Sequence, residues 1–130
     1  MRKWYVIKTR VNQEKRAQIN LSNQGFEIFC PLIPILRNFK NKISNILNPL
    51  FPSYIFVRFD LENDNWIKIK NTYGVKEILK SSSMYPRSIS SEFIENLRNI
   101  CDSDNCVNAS YFNFKIGQKV RFVDGPFLNK

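Results

Sequence analysis

Three cysteines, Cys30, Cys101 and Cys106, are the strongest nucleophiles in this 130-residue chain, and no histidine accompanies them. Cys101 and Cys106 are spaced C-x4-C, without the second pair or the histidines that a tetrahedral metal site needs, and an odd thiol count does not make a disulfide framework. Reduced thiols packing as small hydrophobes are the expectation. No Gly-rich phosphate loop is present, and no motif sets a nucleophile beside a base, so the minimum for catalysis is not met and neither enzyme activity nor a cofactor or metal is expected. The chemistry left to these side chains is recognition by guanidinium groups, amides and aromatic rings.

The cations are unevenly placed. Through Arg58 there are ten Lys or Arg against Glu14 and Glu27, a net +8, while the remaining 72 residues carry a net +1. A positive field concentrated in one half of a domain is the electrostatic footprint of a polyanion partner, although a solvated basic surface would look the same. The segment from Asn48 to Phe59, NPLFPSYIFVRF, supplies the aromatics. A strand alternates faces, so Tyr54, Phe56 and Arg58 point one way and Ile55, Val57 and Phe59 the other. The second set reads as core. The first reads as a surface open to a partner, against the alternative of a strand packed on both sides.

These residues need a scaffold. Residues 3–9 predict a strand with Trp4, Val6 and Lys8 on one face. A helix follows, with Asn12 as N-cap, Glu14 in the first turn and Gly25 at its end. Ala17 and Leu21 form its apolar stripe, and Arg16, Asn20 and Asn23 share another face at helical spacing. Residues 26–29 and 32–36 predict two further strands, and the basic, Asn-rich residues 37–48 a hairpin tip or mobile loop. After the aromatic strand, residues 61–75 suggest an acid-capped helix closing near Gly74, residues 75–79 a strand, and residues 88–100 an amphipathic helix carrying Phe93, Ile94, Leu97 and Ile100. Residues 101–113 lack periodicity and read as a linker, and residues 114–130 alternate like a strand. No run approaches the roughly 18 apolar residues of a membrane span, and the opening apolar stretch is too short for a secretory signal. A cytoplasmic protein with no membrane partner is expected. The order β-α-β-β-β-α-β-α points to an α+β fold, an antiparallel four-stranded sheet flanked by helices.

Four segments carry a family resemblance: WYVIKTRVNQEKRAQINLSNQGFEIFCPLIP from Trp4, NPLFPSYIFVRFD, NTYGV from Asn71, and IGQKVRFVDGPF from Ile116. Together they resemble the NusG family of bacterial transcription elongation factors, over nearly the whole chain and in the expected order. RAQ at 16–18, LFPSYIFV at 50–57 and the short connection between them look most like the RfaH antitermination branch. The resemblance implies a ferredoxin-like N-terminal (NGN) domain over residues 1–100, a linker over 101–113, and the truncated start of a KOW barrel over 114–130, with the tail mobile and the chain monomeric and not autoinhibited.

It also implies two macromolecular partners. The first is RNA polymerase, whose β′ clamp helices the family's aromatic surface docks; the matching positions are Trp4, Val6, Lys8, Phe51, Tyr54 and Phe56. The second is the non-template DNA strand, at Arg10, Arg16, Asn20, Asn23, Gln24, Thr72 and Tyr73. A contact to the β gate loop would fall on Asn65, Trp66 and Ile67, where the family's polar cluster is replaced and Trp66 suits a core role. A ribosomal protein or Rho would be recruited only through a complete C-terminal domain. The implied function is elongation and antitermination at selected operons; the alternatives are a housekeeping NusG-type factor and a single-stranded nucleic-acid module, although the K/R-G-F/Y pattern of the latter is absent.

Overall fold

The computed structural model describes residues 1–107. Its frame is an antiparallel sheet in the strand order β2-β5-β1-β6, where β1 spans Lys3–Thr9, β2 Glu27–Phe29, β5 Tyr54–Phe59 and β6 Val75–Ile78. The short strand β7, Ser88–Ile89, pairs with Trp4 and Tyr5 at the start of β1, while β6 pairs with Ile7 to Thr9 at its end. The four-stranded antiparallel sheet expected from the sequence is thus present, with β7 added along one edge.

The faces of β1 and β5 are set by their register. Val6 lies opposite Phe56, Ile7 opposite Ile55 and Lys8 opposite Tyr54, and cross-strand partners share a face. On one face Tyr5, Ile7, Ile55, Val57 and Phe59 pack against Ala17 and Leu21 of helix α1, Glu14–Asn23, and against Ile69 of helix α2, Trp66–Lys70. The rings of Tyr5 and Phe59 stack there with centroids 4.2 Å apart.

The opposite face is not left open. Helix α3, Ser91–Asn99, lays Ile94 and Leu97 over Trp4, Phe29 and Phe56, and the Phe93 ring meets Phe56 edge-on at 6.1 Å. Trp4 and Phe56 are each 4% exposed. For these two rings the expectation of a solvent-facing surface is therefore corrected: burying two large aromatics beneath an amphipathic helix recovers several kcal/mol that exposure would forfeit.

Other elements depart from the sequence reading in instructive ways. Of the two readings of residues 37–48 the hairpin holds and the mobile loop does not: β3, Leu32–Phe39, and β4, Lys42–Pro49, form a separate two-stranded hairpin. Its turn is Lys40-Asn41 with φ of 51° and 63°, the left-handed pair of a tight hairpin turn made without the Gly that would have advertised it. Helix α1 begins at Glu14 and not behind an Asn12 cap, because Asn12 takes φ 59° in a turn closed by the Gln13 amide donating to the Arg10 carbonyl at 3.0 Å. The helix expected over 61–75 shrinks to the five residues of α2, since Asp60 holds the preceding chain in a turn by accepting from the Glu62 and Asn63 amides at 3.0 and 3.3 Å.

The start of the expected linker is packed. The Val107 amide donates to the Leu32 carbonyl at 2.7 Å, the Leu32 amide to the Asn105 carbonyl at 2.8 Å, and Val107 is 1% exposed. Domain contacts thus run seven residues past the boundary read at residue 100; the remainder of that linker and the 114–130 segment lie outside the described residues.

Gly74 controls one close approach. It takes φ +91°, and a Cβ there would sit 2.7 Å from the Ala17 amide nitrogen, so only glycine lets the loop before β6 lie on the start of α1. Gly74→Ala should therefore cost about 2 kcal/mol in denaturant unfolding, from backbone strain and overpacking combined. Phe56→Ala should cost about 3–5 kcal/mol by the same measurement, as for other buried large-to-small changes. Cys30, 5% exposed, has its thiol pushed up to about 12 by burial and secondarily by the nearby Glu14 carboxylate. The unfolded chain ionises first as pH rises past 9.0, so stability should fall between there and about 12, and Cys30→Ala should flatten that slope.

Candidate functional site

Two surfaces gather the residues singled out by type and spacing. The first lies where α1 meets the loop before β6. The Arg16 guanidinium carbon sits 5.2 Å from the centre of the Tyr73 ring, within cation–π range, and Tyr73 is 73% exposed. One flank of the ring is thus occupied by a cation while much of its surface meets solvent. The Arg10 amide donates to the Gly74 carbonyl at 2.9 Å, and the Asn20 side-chain amide to the Tyr73 carbonyl at 3.4 Å, so Arg10, Arg16, Asn20 and Tyr73 converge although Tyr73 is more than fifty residues along the chain from Arg16 and Asn20. Asn23 is exposed on the same side of α1.

Thr72 and Gln24 belong to the support of this surface. Thr72 is 7% exposed, and its hydroxyl donates to the Lys68 carbonyl at 2.9 Å while accepting from Gln24 Nε2 at 2.8 Å. Gln24 Nε2 also reaches the Asn20 carbonyl at 3.2 Å. Direct contact with a ligand, expected of both from the sequence, is corrected: the Thr72 hydroxyl and Gln24 Nε2 are spent holding the loop of Tyr73 against α1, and Gln24 Oε1 is buried. The net arrangement offers two exposed guanidinium groups, an exposed ring and amide groups, which suits phosphate contacts combined with stacking of an unpaired base.

The second surface is what α3 leaves uncovered on the other face of the sheet. Val6, Lys8, Phe51 and Tyr54 are each partly exposed; the Phe51 ring meets Phe56 edge-on at 5.8 Å, so the buried ring backs the accessible one. Lys8 stands directly opposite Tyr54 across the strand pair. The result is a small aromatic patch edged by one cation, with Trp4 and Phe56 as its floor.

A residue that sequence reasoning treated as a helix-dipole carboxylate positions this patch. Glu14, 9% exposed, accepts the Ser53 amide at 2.8 Å, and Ser53 in turn has φ 69° and gives its carbonyl to the Thr9 amide at 2.8 Å. The turn that delivers Tyr54 is thereby tied to α1. Spacing along the chain gave no signal of this, because the partners are 39 residues apart. At the α2 start, Trp66 packs partly buried against the α1-side core, while Asn65 is exposed and Ile67 is 55% exposed. These three do not form a polar cluster.

Among the described residues, no group of three or more Cys, Asp or Glu could hold a metal ion, and no helix is long and apolar enough to cross a membrane. A family profile described as "Transcription termination factor nusG" matches residues 2–98. Proteins named "Transcription termination/antitermination protein NusG" from Rickettsia typhi and from Chlamydia trachomatis are each 25% identical to the chain, over 98% and 99% of its length and 70% and 75% of theirs. A solved structure described as "Domain interaction in Thermotoga maritima NusG" aligns with TM-score 0.49 and 18% identity over 72% of this chain; the chain spans 54% of that one. These relatives bear the NusG name, and none of them supports the narrower RfaH assignment. With the profile match covering nearly all of the described sheet and helices, the chain belongs to the NusG family of transcription factors.

Proposed function

We propose that this chain is a NusG-type transcription elongation factor that docks on RNA polymerase through its residual aromatic patch and touches the non-template DNA strand through the Arg16–Tyr73 surface. The observation that carries the reading is the family match over residues 2–98; the relatives' names, which pair termination with antitermination, supply the process. The physical features agree with it. The patch of Val6, Lys8, Phe51 and Tyr54 is apolar, pre-organised by Phe56 beneath it and edged by a cation, a suitable seat for the coiled-coil clamp helices of β′. Trp4 and Phe56 enter this proposal as the supporting layer and not as contacts.

On the α1 side, Arg10 and Arg16 would neutralise phosphates, while Tyr73, Asn20 and Asn23 would meet an unstacked base, with Thr72 and Gln24 as braces. A gate-loop contact would fall to Asn65 and Ile67 without Trp66, which packs inward. An RfaH-type restriction to selected operons rests on residues 16–18 and 50–57 alone, and recruitment of a ribosomal protein or Rho would need a C-terminal domain.

Tyr54→Ala or Phe51→Ala should weaken binding to RNA polymerase by roughly 2 kcal/mol, as for central aromatic anchors, with unfolding midpoints little changed; unaltered affinity in a titration against purified polymerase would remove this docking surface. Arg16→Ala should reduce affinity for single-stranded DNA and make log K less steep in log salt by about one phosphate contact, leaving polymerase docking intact. An unchanged salt slope would leave Arg16 as a solvated helix residue.

A further inference from the structure

A second cationic site lies at the other end of β1. A cleft of about 450 Å³ opens between the start of β1, the end of β5 and the start of α3, and Arg2, Lys3, Arg58 and Arg98 line it with Glu95 as the one acid in its lining. Arg98 is held in place: its guanidinium carbon lies 5.1 Å from the Trp4 ring centre and 5.2 Å from that of Phe29, and it pairs with Glu27 at 3.2 Å and more loosely with Glu95 at 3.8 Å. Arg58 pairs with the same Glu27 at 3.4 Å. Glu27 and Glu95 together balance the charge of these two guanidinium groups, so the uncompensated cations of the cleft are Arg2 and Lys3. Arg2 and Lys3 are exposed and have no ion pair among the described residues.

The remaining wall adds hydrogen-bond donors. Ser88, Ser90 and Ser91 line the cleft where α3 starts, and the Ser90 hydroxyl accepts the Glu92 amide at 3.1 Å, capping the helix. Guanidinium forks beside hydroxyls can hydrogen-bond the several acceptor oxygens of a phosphodiester, as they can those of a carboxylate.

We infer that this cleft is a second nucleic-acid contact, binding the phosphodiester backbone of DNA or RNA independently of the Arg16–Tyr73 surface. The inference rests on the proposed function only in taking nucleic acid as a partner. The seven residues of β1 span roughly 20 Å, with Arg10 just beyond one end and Lys3 at the other, and the cleft opens on the α3 side whereas Arg16 rides on α1. The two sites would hold different segments of nucleic acid, so their contributions to affinity should be additive.

The test is fluorescence anisotropy with the full chain and three labelled probes, a single-stranded DNA, a duplex DNA and a single-stranded RNA, each measured across a salt series. The double variant Arg2→Gln, Lys3→Gln removes two cations from an exposed rim and should keep its melting temperature. At least one probe should bind about tenfold more weakly, with a salt slope shallower by about two contacts, and whichever probes respond assign the source as DNA, RNA or both. Lys76→Gln with Lys80→Gln, also exposed, removes equal charge elsewhere and should change binding far less. Equal loss in that control would reduce the cleft to general net charge and overturn the inference, as would unchanged binding and slope for all three probes. Loss of binding to a labelled polyglutamate peptide with every nucleic acid unaffected would make it a site for acidic protein and overturn it too. If Arg16→Ala has no effect while the cleft variant does, the α1 surface fails and the cleft stands; the reverse pattern rejects the cleft alone.

Discussion

The antiparallel pairing of β1 with β5 in one register is the constraint on which the other features depend. Because side chains alternate, setting Val6 against Phe56 and Ile7 against Ile55 sends one set of residues to α1 and the other to α3, and a slip of one residue would exchange the two sets. Both outward surfaces then follow. Lys8 and Tyr54 emerge together at one end of the pair, and Lys3 and Arg58 reach the cleft at the other.

The burial of Trp4 and Phe56 changes what the aromatic face can be. A sheet with one apolar side exposed would present two large rings to water, and α3, with Ile94 and Leu97 on its inner side, removes that cost. The accessible part contracts to Phe51 and Tyr54 with Val6 and Lys8, resting on a rigid floor. Stiff support limits the ordering entropy lost on association, so a smaller patch is not a weaker one in proportion. The same helix brings Arg98 over Trp4 and Phe29, and so builds part of the basic cleft while it completes the core.

On the α1 side, function and stability draw on the same few atoms. Gly74 permits the close approach, the Thr72 hydroxyl and Gln24 amide fasten the loop, and Glu14 ties α1 to the turn before β5. Each joins groups distant in sequence, the last two through part-buried hydrogen bonds. The exposed pieces, Arg10, Arg16 and Tyr73, are held by these contacts in a geometry that none of them would adopt alone.

Much of this was legible in the residues themselves. Alternation located β1 and β5 and assigned their faces, helical spacing grouped Arg16 with Asn20, Gly25 marked the end of α1 with φ +92°, and the crowding of cations before Arg58 pointed to a polyanion. The family motifs were readable as well, because they are local strings. What the tertiary structure alone decided was cover and partnership: that α3 lies on the aromatic face, that residues 32–49 pair along their whole length as a hairpin where a mobile loop was the alternative, that Glu14 and Thr72 are braces, and that Arg2, Lys3, Arg58 and Arg98 meet at one cleft. Local periodicity records which side of an element is apolar. It carries no record of which distant element will bury that side, because that choice is made by packing the whole chain at once.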